Sequence, residues 1–141
     1  MKNIIWVALL LVLPFSVFGA GQNSPPVKDY TQIAWNVALS VNIAPSAFLG
    51  LLRCESGLAG LQGKPIWGDR GESYGIAQFK KTTFDKFAKM YGLEEQTSYK
   101  DYASQIVLAG KALADGYAHH WMVCSKANNF LPKDWTFAML P

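Results

Sequence analysis

The stretch Pro45-Ser46-Ala47-Phe48-Leu49-Gly50-Leu51-Leu52-Arg53-Cys54-Glu55-Ser56-Gly57 decides how the rest of this chain is read. Pro45 suits the first turn of a helix, where its missing N–H costs nothing. Phe48, Leu51, Leu52 and Glu55 recur at three- and four-residue steps, so a carboxylate falls on the apolar stripe instead of the solvated face. Ser56-Gly57 is expected to end the helix, which leaves Glu55 near its C-terminus, where the macrodipole disfavours negative charge. Both effects favour the protonated form. A carboxyl kept neutral near pH 7 is what a general acid needs to hand a proton to a poor alkoxide leaving group. A Glu that emerges at the rim and is simply solvated is the plainer reading of the same helix.

On the N-terminal side, Tyr30, Ile33, Ala34, Val37, Ala38 and Val41 share one apolar helical face. Residues 21–29 form a short leader to it, with Ser24 before Pro25-Pro26 marking a helix entry. On the C-terminal side, residues 57–72 are rich in glycine and carry the charged cluster Asp69, Arg70 and Glu72, which predicts a long loop or small hairpin. A third helix is expected from Thr82 or Thr83, with Phe84, Phe87, Ala88 and Tyr91 as its stripe and Gly92 as its stop. A fourth is expected from about Tyr99, with Tyr102, Ile106, Ala109 and Leu113 inward and Gly116 at its end. Residues 125–141 hold Phe130, Trp135 and Phe137 without a period and are expected to be irregular. The fold class is therefore mainly α, one domain over residues 30–124.

Composition narrows the function. Of 141 residues, 50% are hydrophobic and only 16% charged, which excludes a disordered chain. The net charge of +3 is too small and too scattered for a nucleic-acid binder. Residues 1–20 have the layout of a secretory signal peptide: Lys2, then an almost wholly apolar run from Ile4 to Val17, then Gly19, Ala20 and Gly21. A membrane anchor needs about 20 apolar residues, and Pro14 interrupts this shorter run. No Cys stands at the junction, which argues against a lipoprotein. Cleavage is expected to leave a periplasmic or secreted domain with no stable membrane anchor. In an oxidising compartment Cys54 and Cys124 can pair, closing a loop worth roughly 4 kcal/mol on chain-entropy estimates; two buried thiols are the alternative. His119-His120 and two distant Cys do not make a zinc site, and no metal or cofactor is expected.

Glu55-Ser56-Gly57, the glycine-rich loop, and then Gly75-Ile76-Ala77-Gln78-Phe79 resemble the soluble lytic transglycosylase domain, in the lysozyme-like superfamily. Residues 43–53 look like that family's helix leading to the acid. Residues 105–113 look like its later inner helix, and Gly116-Tyr117 through Trp121 and Cys124 look like the ending of small members. The resemblance implies a lysozyme-like fold and a peptidoglycan-cleaving enzyme acting on glycan strands. Glu55 would be the catalytic acid, Ser56 its neighbour, and Gly75 and Gln78 part of the substrate cleft. The family's cleft tyrosine segment is missing, and Tyr74 and Tyr117 are candidate substitutes. Trp67-Gly68-Asp69-Arg70-Gly71 is similar to goose-type lysozymes, which makes Asp69 a candidate second carboxylate; Lys80 stands where some of those carry another acid.

Two chemistries stay open on these residues. Inverting hydrolysis needs an acid and a base about 6.5–9.5 Å apart with water between them; here they would be Glu55 and Asp69. A lytic transglycosylase needs one Glu and no water. Trp67, Tyr74, Phe79 and Trp121 offer ring faces for sugars, with Tyr74 and Phe79 expected nearest the cleft. Ser73 is a candidate for orienting the acid or a sugar amide. Lys80, Lys81, Lys86 and Lys89 form a basic patch that could attract an anionic wall polymer or simply be a solvated helix face. A non-catalytic glycan-binding module is a reading of another class. The sequence leaves open whether the chain remodels its own envelope, serves an envelope-spanning secretion or conjugation apparatus, or attacks other cells.

Overall fold

A computed structural model describes residues 28–134 and 136. The expected signal peptide, Ser24, and Trp135 and Phe137 of the tail lie outside the described residues. Among the described residues the molecule is mainly helical, with one three-stranded antiparallel sheet between the second and third helices. Helix α1 (Tyr30–Ser40) is capped by Asp29, whose carboxylate accepts from the N–H groups of Thr31 and Gln32, both at 3.1 Å. Helix α2 (Pro45–Leu61) runs past its expected end. Gly57 takes φ 65° and ψ −169°, so Ser56-Gly57 is a kink, and helix-forming residues resume the turn over 58–61.

The glycine-rich stretch forms β1 (Trp67–Gly68), and the residues after it form β2 (Ser73–Tyr74) and β3 (Phe79–Lys80). Antiparallel pairing of Gly68 with Ser73 makes residues 69–72 the turn of a β1–β2 hairpin at the end of the segment where one is expected, and the pairing Tyr74↔Phe79 makes residues 75–78 the four-residue loop of a second, β2–β3 hairpin beyond it. Strand β3 runs straight into α3 (Lys81–Met90), which therefore has Lys80 at its N-cap and no side-chain cap, instead of starting at Thr82 or Thr83. Helix α4 (Tyr102–Ala114) starts later than the expected Tyr99, because Asp101 caps it by accepting from the Ser104 N–H at 2.9 Å. A 3-10 turn (Ala118–Trp121) leads into α5 (Met122–Ala127). Order thus continues into residues expected to be irregular, and Phe130 and Leu131 pack against the core.

The core is the meeting of the expected stripes. Phe48, Leu51 and Leu52 of α2, Ala34 and Ala38 of α1, Phe84, Phe87 and Ala88 of α3, and Tyr102, Ile106, Ala109 and Leu113 of α4 are all buried. Into this helical core the hairpin loop inserts Ile76 and Ala77, both fully buried. The paired-cysteine alternative holds: Cys54 and Cys124 form a disulfide with Cα atoms 5.6 Å apart, tying α2 to α5.

Candidate active site

Glu55 sits on α2 one turn above buried Leu51 and Leu52, two residues before the Gly57 kink. It is half-buried, and its carboxyl is raised from the ordinary 4.5 to about 7. Loss of hydration is the larger cause, and the negative charge of Asp69 adds to it. The apolar stripe around Glu55 thus has the larger effect on its proton. Asp69 itself is exposed and lies in a run of three left-handed residues, Asp69 (φ 46°), Arg70 (φ 57°) and Gly71 (φ 95°). Two consecutive non-glycine residues in that region are a strained arrangement, of the kind that gathers at functional sites.

Beside them opens a cavity of about 160 Å³, walled by Asp69, Gln78, Lys80, Thr83, His120 and one side of the Phe79 and Trp121 rings. Glu55 is not in that wall; Asp69 belongs to the wall and acts on the acid. A larger hollow of about 610 Å³ beside α3 has only exposed carboxylates, Asp85 and Glu94, and offers no comparable acid. His120 is held below its ordinary range by burial, then by His119 and Lys86, so it lines the cavity as a neutral imidazole near neutrality.

The loop carrying this site hangs from side chains of the helices behind it. Fully buried Gln105 of α4 accepts from the Ala77 N–H at 3.1 Å and donates to the carbonyls of Tyr74 (3.1 Å) and Tyr99 (2.8 Å). Tyr102 donates to the Lys64 carbonyl at 2.6 Å and accepts from the Ile66 N–H at 3.2 Å. Tyr99 donates to the Phe79 carbonyl, and Trp121 Nε1–H to the Ala77 carbonyl, both at 2.7 Å. Gly75 takes φ 88° at the start of the hairpin loop, and a Cβ there would overlap the Gln105 amide. The sequence marks Tyr102 as inward-facing, Gly75 as part of the cleft and Trp121 as a ring face, but singles out neither Gln105 nor the hydrogen bonds that hang the loop. The available signal was a polar Gln105 on the apolar face that Tyr102 and Ala109 define.

Several expected contacts turn inward instead. Ser56 is buried and donates to the Leu52 carbonyl at 3.0 Å. Ser73 is buried and donates to Gln78 Oε1 at 3.1 Å, while Gln78 Nε2 donates to the Gly75 carbonyl at 2.7 Å. Of these residues Gln78 lines the cavity as expected, held there by its bonds with Ser73 and the Gly75 carbonyl. The aromatic expectation holds for Phe79, which lines the cavity from the edge of its ring cluster, and fails for Tyr74, which does not. Tyr74 is enclosed by the rings of Trp67, Tyr99 and Tyr102, and Phe79 by those of Phe84, Phe87 and Trp121, because the hairpin loop plugs into the core and takes both rings with it. Trp67, 57% exposed and propped on Tyr74, is the open ring. Tyr117 packs on Phe87 and the two histidines, 5.4 Å between its centroid and that of Phe87. In the basic patch Lys80 pairs with Glu72 at 2.8 Å and Lys81 with Asp85 at 2.6 Å, so two of its four charges are spent locally.

Among the described residues no helix is long and apolar enough to cross a membrane, and no group of three or more His, Cys, Asp or Glu could hold a metal ion. No family model, curated protein or solved structure matches this chain.

Proposed function

We propose that this chain is an exported lytic transglycosylase of the lysozyme-like kind, cutting the β-1,4 bond between N-acetylmuramic acid and N-acetylglucosamine in peptidoglycan. The observation that carries the reading is a half-buried Glu55 that keeps its proton to about pH 7 and feels the charge of Asp69, a residue of the polar cavity's wall. The order of Glu55-Ser56-Gly57, the loop and Gly75-Ile76-Ala77-Gln78 supports the same reading. The disulfide between Cys54 and Cys124 favours an oxidising location, periplasmic or secreted.

Glu55 gives its proton to the bridging oxygen as the muramic acid C1–O bond breaks, leaving oxocarbenium character at C1. The carboxylate then takes the proton of the C6 hydroxyl as O6 closes on C1. The product is a 1,6-anhydro ring, no water is consumed, and Glu55 ends protonated and ready again. A group that must act as acid and then as base works best with its proton affinity near the working pH, which is where Glu55 lies.

One observation favours a second reading, hydrolysis with inversion. Asp69 is a second carboxylate whose charge reaches Glu55, held on strained backbone. Clearance of purified sacculi by the unaltered protein, Glu55→Gln and Asp69→Asn separates the two. For the transglycosylase, Glu55→Gln loses all measurable clearance and Asp69→Asn keeps most of it. Comparable loss in both variants means hydrolysis. Full activity of Glu55→Gln, or no released fragments from the unaltered protein, ends both enzymatic readings, and wall binding without release would mean a glycan-binding module.

A further inference from the structure

The residue next to the acid and the residue next to Gln78 are joined to the same short element. Cys54 immediately precedes Glu55 and is bonded to Cys124 of α5. Three residues before Cys124, Trp121 donates its buried Nε1–H to the Ala77 carbonyl at 2.7 Å, and Ala77 immediately precedes Gln78. Between these two ends the element is locked on itself. Fully buried Ser125 donates its hydroxyl to the Ala118 carbonyl at 2.7 Å, closing the 3-10 turn onto α5. The same element supplies His120 and Trp121 to the cavity wall. On the far side, the backbone of Ile76 passes close to α2, so that a Cβ at Gly60 would meet both the Ser56 hydroxyl and Ile76 Cα.

We propose that the Cys54–Cys124 disulfide and Trp121 form a brace that sets Glu55 against the Gln78 wall of the cavity, making them positioning residues for the cleavage proposed above, on which this inference rests. A disulfide that served only as a staple would act by restricting the unfolded chain. Such a staple has no need of a place beside the acid, nor of an indole that carries the constraint on to the opposite wall. A brace loses its effect whichever end is released. Freeing either end also lets water reach a carboxyl whose proton affinity is set mainly by its missing hydration.

The test uses the full mature chain, with solubilised peptidoglycan strands as substrate and carboxyl-labelled glutamate for direct NMR titration of Glu55. Trp121→Phe keeps the ring among Phe79 and Phe87 but removes the donor; the Cys54→Ser, Cys124→Ser double variant releases the other end. In each, kcat falls by roughly ten- to a hundredfold with KM within about twofold, as expected for misplacement on the order of 1 Å. In each, the Glu55 midpoint moves down from about 7 toward 4.5. Ile106→Val, a buried substitution that touches neither the disulfide nor the indole hydrogen bond, lowers the melting temperature and leaves kcat and the Glu55 midpoint in place. The inference is overturned if the brace variants lose melting temperature alone, with kcat and midpoint as in the unaltered protein. Should the double variant not fold, Trp121→Phe decides. Should the unaltered protein release no glycan fragments, the enzymatic reading fails separately; the midpoint alone then judges the brace, a downward move supporting it and a fixed midpoint refuting it.

Discussion

Replacing Glu55 by Gln should stabilise the fold in alkali and leave it unchanged in acid. Between about pH 4.5 and 7 the folded protein holds a proton on Glu55 that the unfolded chain has released. The unfolded state therefore binds fewer protons, and unfolding free energy falls as pH rises through this window. The stability associated with Glu55 is intact below 4.5 and lost once pH passes about 7. At about 1.36 kcal/mol for each tenfold change in proton affinity, the ceiling is about 3 kcal/mol; solvent around a half-buried carboxyl reduces it to the order of 1–2 kcal/mol. The amide of Glu55→Gln keeps the shape and cannot ionise, so it escapes the loss. Scanning calorimetry should show the two proteins melting together near the low end of the window. Near pH 8 the variant should melt at least about 4 °C higher, taking about 4 °C per kcal/mol for a domain of this size. A melting difference that is the same at every pH, or a variant that is the weaker protein in alkali, would refute the argument that desolvation sets the acid.

The supports behind the cleft make two further predictions. Gln105→Leu removes the bond to the Ala77 N–H and those to the carbonyls of Tyr74 and Tyr99; at about 1–3 kcal/mol for a buried group left unsatisfied, chemical denaturation should show a loss of at least about 1–3 kcal/mol. Gly75→Ala places a Cβ at φ 88° and into the Gln105 amide. It should cost at least about 2 kcal/mol from the left-handed backbone and the overlap together, read as a lower denaturation midpoint with unchanged slope.

What the sequence disclosed was the part of the structure with a repeating signal. The stripes Phe48-Leu51-Leu52 and Tyr102-Ile106-Ala109-Leu113 are buried as read, since a helix facing a core repeats its apolar residues at its own period. Boundaries were less legible. Gly57 signals a break, but the residues after it favour helix, so the chain kinks and continues. The start of α4 depends on Asp101, whose capping role is fixed by a bond to Ser104 that spacing alone does not single out. Helix α5 has six residues, too few for a period to emerge.

The candidate site divides the same way. Glu55 was visible because a carboxylate on an apolar stripe is locally odd. The inward turn of Ser73, the enclosure of the Tyr74 ring, and the packing of Phe79 into the ring cluster at the cavity wall follow from the hairpin loop entering the core. That is a tertiary event fixed by Gln105 and Trp121, 28 and 44 residues from Ala77. Pairing of Cys54 with Cys124 was one of two open alternatives until their backbones were seen to lie 5.6 Å apart.

The most direct measurement of the central claim is mass spectrometry of the muropeptides released when the unaltered protein digests purified sacculi. A proton supplied and retrieved by Glu55 alone predicts fragments ending in 1,6-anhydro-muramic acid, and none when Glu55→Gln is used. Fragments with ordinary reducing ends would show that water takes part and that a second group, with Asp69 the candidate, shares the work.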